Sequence, residues 1–241
     1  MFRHQGKSRT YNHNLRLASV LSFVAGIVNI TGVLSVKTLT TNVTGHFAYF
    51  SEEFGKRNYA GAFFYLFFII SFLLGAFVSN LLVEIVSKRR PAVAYIGPML
   101  IEILILIIIA FEAGKIITHP EQIACILLFA MGLQNALVTK VSQSVVRTTH
   151  LTGLFTDLGI ELSQLFFYRK PGELLQLSKS ISLKLAIIGF FFTGCIAGGF
   201  LYGLIGLKTL LFAGGCLLTA LFYDTLLFHY YYIKRKVNAY R

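Results

Sequence analysis

Six apolar runs, each close to the length that crosses a bilayer, constrain this chain more than any other feature. They lie at Leu17–Val36, Tyr59–Val83, Val93–Ala113, Gln122–Val141, Leu183–Leu204 and Leu207–Ile233. A hydrocarbon core of about 30 Å takes roughly 20 residues of helix. No water is present there to satisfy exposed backbone groups, so such runs fold as helices. A water-soluble bundle would need a polar face on each helix, whereas Ile103–Ala110 is apolar all round. Composition agrees, since 56% of the 241 residues are hydrophobic and 13% charged, against about a quarter charged in soluble domains. The expected fold is all-α: a polytopic membrane protein with six transmembrane helices embedded in the lipid bilayer.

The basic residues choose an orientation. With both termini in the cytoplasm, 17 of the 22 Lys and Arg residues fall on inside segments: the N-terminal stretch, Lys88–Arg90, the connection after the fourth span with its flanks, and Lys234–Arg241. Lys37, Lys56, Arg57, Lys115 and Lys208 remain outside. That asymmetry follows the positive-inside rule. It also accounts for the formal charge of +12 without nucleic acid as a partner, because the charges sit in short flanks instead of one stripe. Residues 1–16 followed by an apolar run could open a signal peptide, but the run continues without a small-residue cleavage site and reads as an uncleaved first span. Cys125, Cys195 and Cys216 lie inside predicted spans with no paired spacing. His46 and His150 have no second His or Cys at ligand spacing and read as boundary residues, so neither a metal nor a cofactor is expected.

The chain also repeats itself. Phe23-x-x-Gly26-x-x-Asn29 followed by Thr41-x-x-Thr44-Gly45-x-Phe47 recurs as Phe129-x-x-Gly132-x-x-Asn135 followed by Thr149-x-x-Thr152-Gly153-x-Phe155, at offsets of 106 and then 108. The division that follows is a cytoplasmic segment 1–16, a first three-span repeat 17–113, a connecting loop 114–121, a second three-span repeat 122–233 and a cytoplasmic segment 234–241. An odd number of spans per copy inverts the second copy relative to the first, an arrangement common in transporters. Ser71-x-x-x-Gly75 and Gly194-x-x-x-Gly198 extend the match at an offset of 123, and Glu102 and Asp224 correspond at 122. The jump from 108 to 123 places an insertion within Leu162–Ser182. There Glu173–Ser180 reads as a connector or a short amphipathic helix on the membrane surface.

The polar positions inside this apolar frame are the candidates for function. The Thr-x-x-Thr-Gly segments either break helices at membrane depth, exposing backbone groups to a watery cavity, or end them in ordinary loops. Asn29 and Asn135 can bond a substrate or a facing helix. The copies differ where Arg147, His150 and Asp157 replace Leu39, Asn42 and Tyr49. Arg147 could hold an anion, pair with Asp157 or serve topology alone. Glu102, deep in a span, must be neutral, paired or facing water, and with Asp224 it is a candidate proton carrier.

The segments FVAGIVNITG, TTNVTGH, GLQNALV and RTTHLTGLFTDLG, taken with six spans, resemble the YoaK-like family of bacterial membrane proteins of unknown function. The resemblance covers most of the chain. It implies the bacterial cytoplasmic (inner) membrane and carries no substrate or catalytic residues. The leading expectation is a small secondary transporter or permease for a small molecule or ion. Asn29, Thr41, Thr44, Asn135, Arg147, Thr149 and Thr152 would line its site, Glu102 or Asp224 would handle a proton, and a homodimer is a plausible assembly. Two alternatives stand beside it: a lipid-acting intramembrane enzyme using His150 and Asp157, and a non-catalytic assembly or interaction protein.

Overall fold

The computed structural model of the chain describes residues 10–112 and 119–223. Asp224, the C-terminal segment 234–241 and most of the connecting loop 114–121 lie outside them. The described residues are helical: α1 (Tyr11–Val36), α2 (Val43–Gly55), α3 (Tyr59–Ser87), α4 (Ile96–Phe111), α5 (Pro120–Val141), α6 (Leu151–Gln164), α7 (Pro171–Ile205) and α8 (209–223). Four stretches meet the length and apolarity that a membrane span requires: α1, α3, α5 and the run Pro171–Tyr223. That last run has 53 residues, about 80 Å if it were one straight helix. It is divided by a 3-10 turn at Gly206–Lys208, entered through Gly206 at φ +59°. The shorter α4 is apolar apart from Glu102 and begins at Ile96, after a 3-10 turn at Pro91–Val93.

Burial separates an inner pair from an outer pair. In α1 and α5, 61% of the most apolar stretch is buried, against 22% in α3 and in Pro171–Tyr223. The outer faces of α3 and α7 expose Phe63, Phe67, Leu73, Phe77, Phe192 and Phe200, the surface a lipid-facing helix presents. Each inner helix packs on an outer helix from the other half of the chain, α1 on α7 and α5 on α3.

Both contacts use the same four-residue device. A Cβ placed on Gly26 would fall on the Phe191 carbonyl, and one on Gly194 would fall on the Phe23 carbonyl. In the other pair, a Cβ on Gly75 would fall on the Phe129 carbonyl and one on Gly132 on the Phe72 carbonyl. Four Phe-x-x-Gly segments thus meet as two reciprocal crossings, with backbone against backbone. Lipid tails are as apolar as the helices, so such close approach is what drives helices together in a bilayer. The crossings also correct the sequence register. Gly75 corresponds to Gly194 and Ser79 to Gly198, an offset of 119 and not 123, which is one helical turn of slippage.

Residue levels give directions. The crossings run α1 parallel to α7 and α3 parallel to α5. The Phe23–Phe212 ring contact and Arg16 over Tyr223 bring α8 back antiparallel to α1. Glu173–Ser180, expected as a connector or a short surface helix, instead lies in the opening turns of the 35-residue α7, started by Pro171 at its first position.

Alanine at Gly26 or Gly132 forces the crossing apart and should lower stability by about 1–3 kcal/mol, read as a lower melting temperature in detergent. Gly189→Ala, whose Cβ would meet nothing within 4 Å, should leave the melt unchanged.

Candidate functional site

The repeated Thr-x-x-Thr-Gly segments do not end helices; they begin them. After α1 the chain turns at Lys37, in the left-handed region at φ 55°, and runs back along the helix it has left. Residues 38–40 lie on Gly32, where a Cβ would meet the Thr40 methyl and the Thr38 carbonyl. Asn29 Oδ1 then accepts from the Thr40 N–H at 3.1 Å and the Thr41 hydroxyl at 3.0 Å. After α5 the chain turns through Gln143 and Ser144, both at positive φ. Here Asn135 donates to the Thr149 hydroxyl and accepts from Thr148 at 3.4 Å. Asn29 and Asn135 stand seven and six residues before the ends of their helices. The returning segments, and the starts of α2 and α6, therefore sit about 10 Å inside those ends.

The glycine of the motif falls in the first turn of the new helix. Asn42 caps α2 by accepting from the Gly45 N–H at 3.1 Å. The His150 ring occupies the equivalent place over Gly153, where any Cβ would meet it. Each new helix is then held against the next long one. In α2, His46 is buried, its Nε2 lies 2.8 Å from the Leu39 carbonyl, and its ring stacks on Tyr65 and meets the edge of Phe68. In α6, Leu158 packs on Leu177 and Ile181, and Glu161 accepts from Lys184 at 2.7 Å and Ser180 at 2.6 Å.

A cavity of ≈ 910 Å³ opens between α3 and α5. It starts just past the Gly75–Gly132 crossing, where Ala76, Asn135 and Ala136 line its deep end. Asn80, Tyr95 and Thr139 follow toward the mouth, where Lys140 is ion-paired with Glu84. A second cavity of ≈ 510 Å³ lies under the start of α6 and is lined by Arg147, His150, Asp157, Ser180 and Lys184. The ion pair at its wall joins Lys184 to Glu161. Among the described residues, no three His, Cys, Asp or Glu side chains form a metal-ligand group.

The residues singled out from sequence thus fall into separate places. Asn135 lines the large cavity and Thr149 is bonded to it, while Arg147 belongs to the second cavity. Asn29 and Thr41 form their own cluster. The Gln134 amide donates to the Leu21 carbonyl at 3.0 Å, so that cluster stands about 12 Å along the bundle axis from Asn135. Thr44 and Thr152 are exposed in the first turns of α2 and α6. Glu102 is buried, and its Oε1 meets no hydrogen-bond donor. Tyr95 lines the large cavity, and two helical turns carry Glu102 about 10 Å deeper along α4. Sequence reasoning missed Asn80, Glu84, Tyr95 and Thr139. Asn80 alone carried a signal, as an amide inside an apolar run.

His46 gives this region a pH dependence. Burial lowers its pKa, and the Leu39 carbonyl only partly opposes that. The unfolded chain therefore takes the proton first, and the stability that neutral His46 contributes is complete above its ordinary value of 6.5 and is lost as pH falls below it. Melting temperatures measured at neutral and mildly acidic pH should separate for the native chain and converge for His46→Gln.

Residues 17–223 match a family model described as a protein of unknown function, DUF1275. The chain is 28% identical over 174 residues to the UPF0700 transmembrane protein YoaK of Bacillus subtilis (strain 168), covering 71% of this chain and 77% of that protein. No solved structure matches.

Proposed function

The chain belongs to the DUF1275 family of proteins of unknown function, and from that premise we propose that it is a small secondary transporter or permease of the bacterial cytoplasmic membrane. The observation that carries this reading is the polar cavity that enters the bundle from one end and stops at Asn135 against a glycine crossing. A hydrogen-bonding pocket at membrane depth, beside backbone that turns back on itself, is how transporters receive solutes.

In this reading the six apolar segments cross the membrane with both termini cytoplasmic, and the halves 17–113 and 122–233 are inverted repeats. The exchanged pairing of α1 with α7 and α3 with α5 supports it, as do the matched Asn–Thr clusters. The large cavity then faces the cytoplasm, because its mouth is the end marked by Lys88–Arg90 and Lys140. Asn135, Thr149 and Thr152 belong to the substrate side, with Asn29, Thr41 and Thr44 as their counterparts on the opposite face and Arg147 near the inner entrance. Glu102, buried with one oxygen unpartnered, takes up and releases a proton, with Asp224 as its counterpart in the second half. Six helices leave a thin wall around such a path, and a homodimer would thicken it.

A second reading, an enzyme acting on lipid headgroups, draws on His150 and Asp157 sharing one cavity. It has a base and an acid, but among the described residues neither Ser144 nor Ser180 of that cavity is hydrogen-bonded to them.

Purified protein in liposomes should take up a solute from a broad panel. Asn135→Ala should lower that uptake about tenfold, the effect of losing one or two well-placed hydrogen bonds. Glu102→Gln should abolish acceleration by an imposed pH gradient while leaving exchange at equal pH intact. Uptake indifferent to both substitutions would sink the site assignment.

A further inference from the structure

The two glycine crossings are alike, but the seams beyond them are not, and the difference says what the cavity can hold. Past the Gly26–Gly194 crossing, α1 carries Ile30, Val33 and Leu34, and α7 carries Cys195, Gly199 and Gly203. Past the Gly75–Gly132 crossing, the equivalent positions are Ala136, Thr139 and Lys140 against Ala76, Asn80 and Glu84. In the first seam Ile30 fills the gap, since a Cβ on Gly198 would meet Ile30 and Ile27, and Gly199 lies in ordinary contact with Ile30. In the second, Ala136 leaves the space that becomes the ≈ 910 Å³ cavity. One seam is apolar and closed by Ile30 next to its crossing; the other is polar and hollow there.

The hollow seam carries no net charge. Its hydrogen-bonding groups are the amides of Asn80, Asn135 and Gln143 and the hydroxyls of Ser87, Tyr95, Thr139 and Ser144, while the charged groups among its lining residues, Glu84 and Lys140, pair with each other, and Lys88, Arg89 and Arg90 line a separate pocket beyond the mouth. The cations Arg147 and Lys184 line the separate ≈ 510 Å³ cavity. An ion entering the large cavity would shed water with no unpaired opposite charge to receive it. A solute with hydrogen-bonding groups and no net charge avoids that cost. We infer that the cavity between α3 and α5 is the binding site for a small polar solute of zero net charge, uncharged or zwitterionic, and that Ala136 is the residue that makes room for it. This inference rests on the permease reading and names its substrate class.

The test uses full-length protein in liposomes with glycine, serine, urea and glycerol as neutral probes, and inorganic phosphate and putrescine as charged ones. At least one neutral probe should enter faster than into protein-free vesicles. Ala136→Ile, which restores the filler of the other seam, should cut that entry about tenfold or more by occupying the lumen, with the melting temperature retained. With the three native cysteines replaced, Asn80→Cys should react with a water-soluble maleimide, and adding Ala136→Ile should block the reaction. Entry of phosphate or putrescine alone would overturn the substrate class and leave a permease standing. Protein-free rates for all six probes with folded protein would overturn both readings. An unreactive Asn80→Cys would show that the cavity is dry and is no solute site.

Discussion

Everything in this bundle depends on backbone meeting backbone at two points. In a bilayer the hydrophobic effect does not draw one apolar helix to another, so association rests on close packing and the few polar bonds available. The reciprocal Phe-x-x-Gly crossings supply the packing, each glycine lying under a carbonyl of the opposing helix. The Gln134–Leu21 bond and the Cys195 thiol, which donates to the Gly26 carbonyl, add polar links at the same levels. With the long helices fixed this way, the short α2 and α6 can start inside the bundle, because the spans beside them are already held.

The sequence disclosed the frame well and the register poorly. Apolar runs of span length gave the all-helical membrane character, since no other structure satisfies so many backbone groups in lipid. The Gly26 and Gly132 motifs were visible as a repeat, but the same tetrapeptide at Phe72 and Phe191 was hidden behind a small-residue stripe. Such a stripe recurs every turn, so Ser71 and Gly75 align with Gly194 and Gly198 as readily as Gly75 and Ser79 do. Only the facing helix selects between them. Tertiary contact decides that choice, and a single sequence does not record it.

The site was legible in part for a similar reason. Asn29 and Asn135 stood out as amides in apolar helices, yet their partners are threonines that return only after a turn of eleven or more residues. The cavity was less visible still, because a cavity is made by what is small. Ala136 carries no chemistry and attracts no notice until it is set beside Ile30. The charged residues that distinguish the second copy, Arg147 with His150 and Asp157, are exposed in a separate place.

The exchanged pairing has a consequence for how such a chain can exist at all. Each half keeps its inner helix but relies on the other half for the outer helix that covers it, so α1 without α7, or α5 without α3, leaves a bare glycine face. Neither half is a self-sufficient folding unit, and the two are interlocked more like a swapped dimer than like two domains in series. A half on its own would need an outer helix from elsewhere to cover its glycine face.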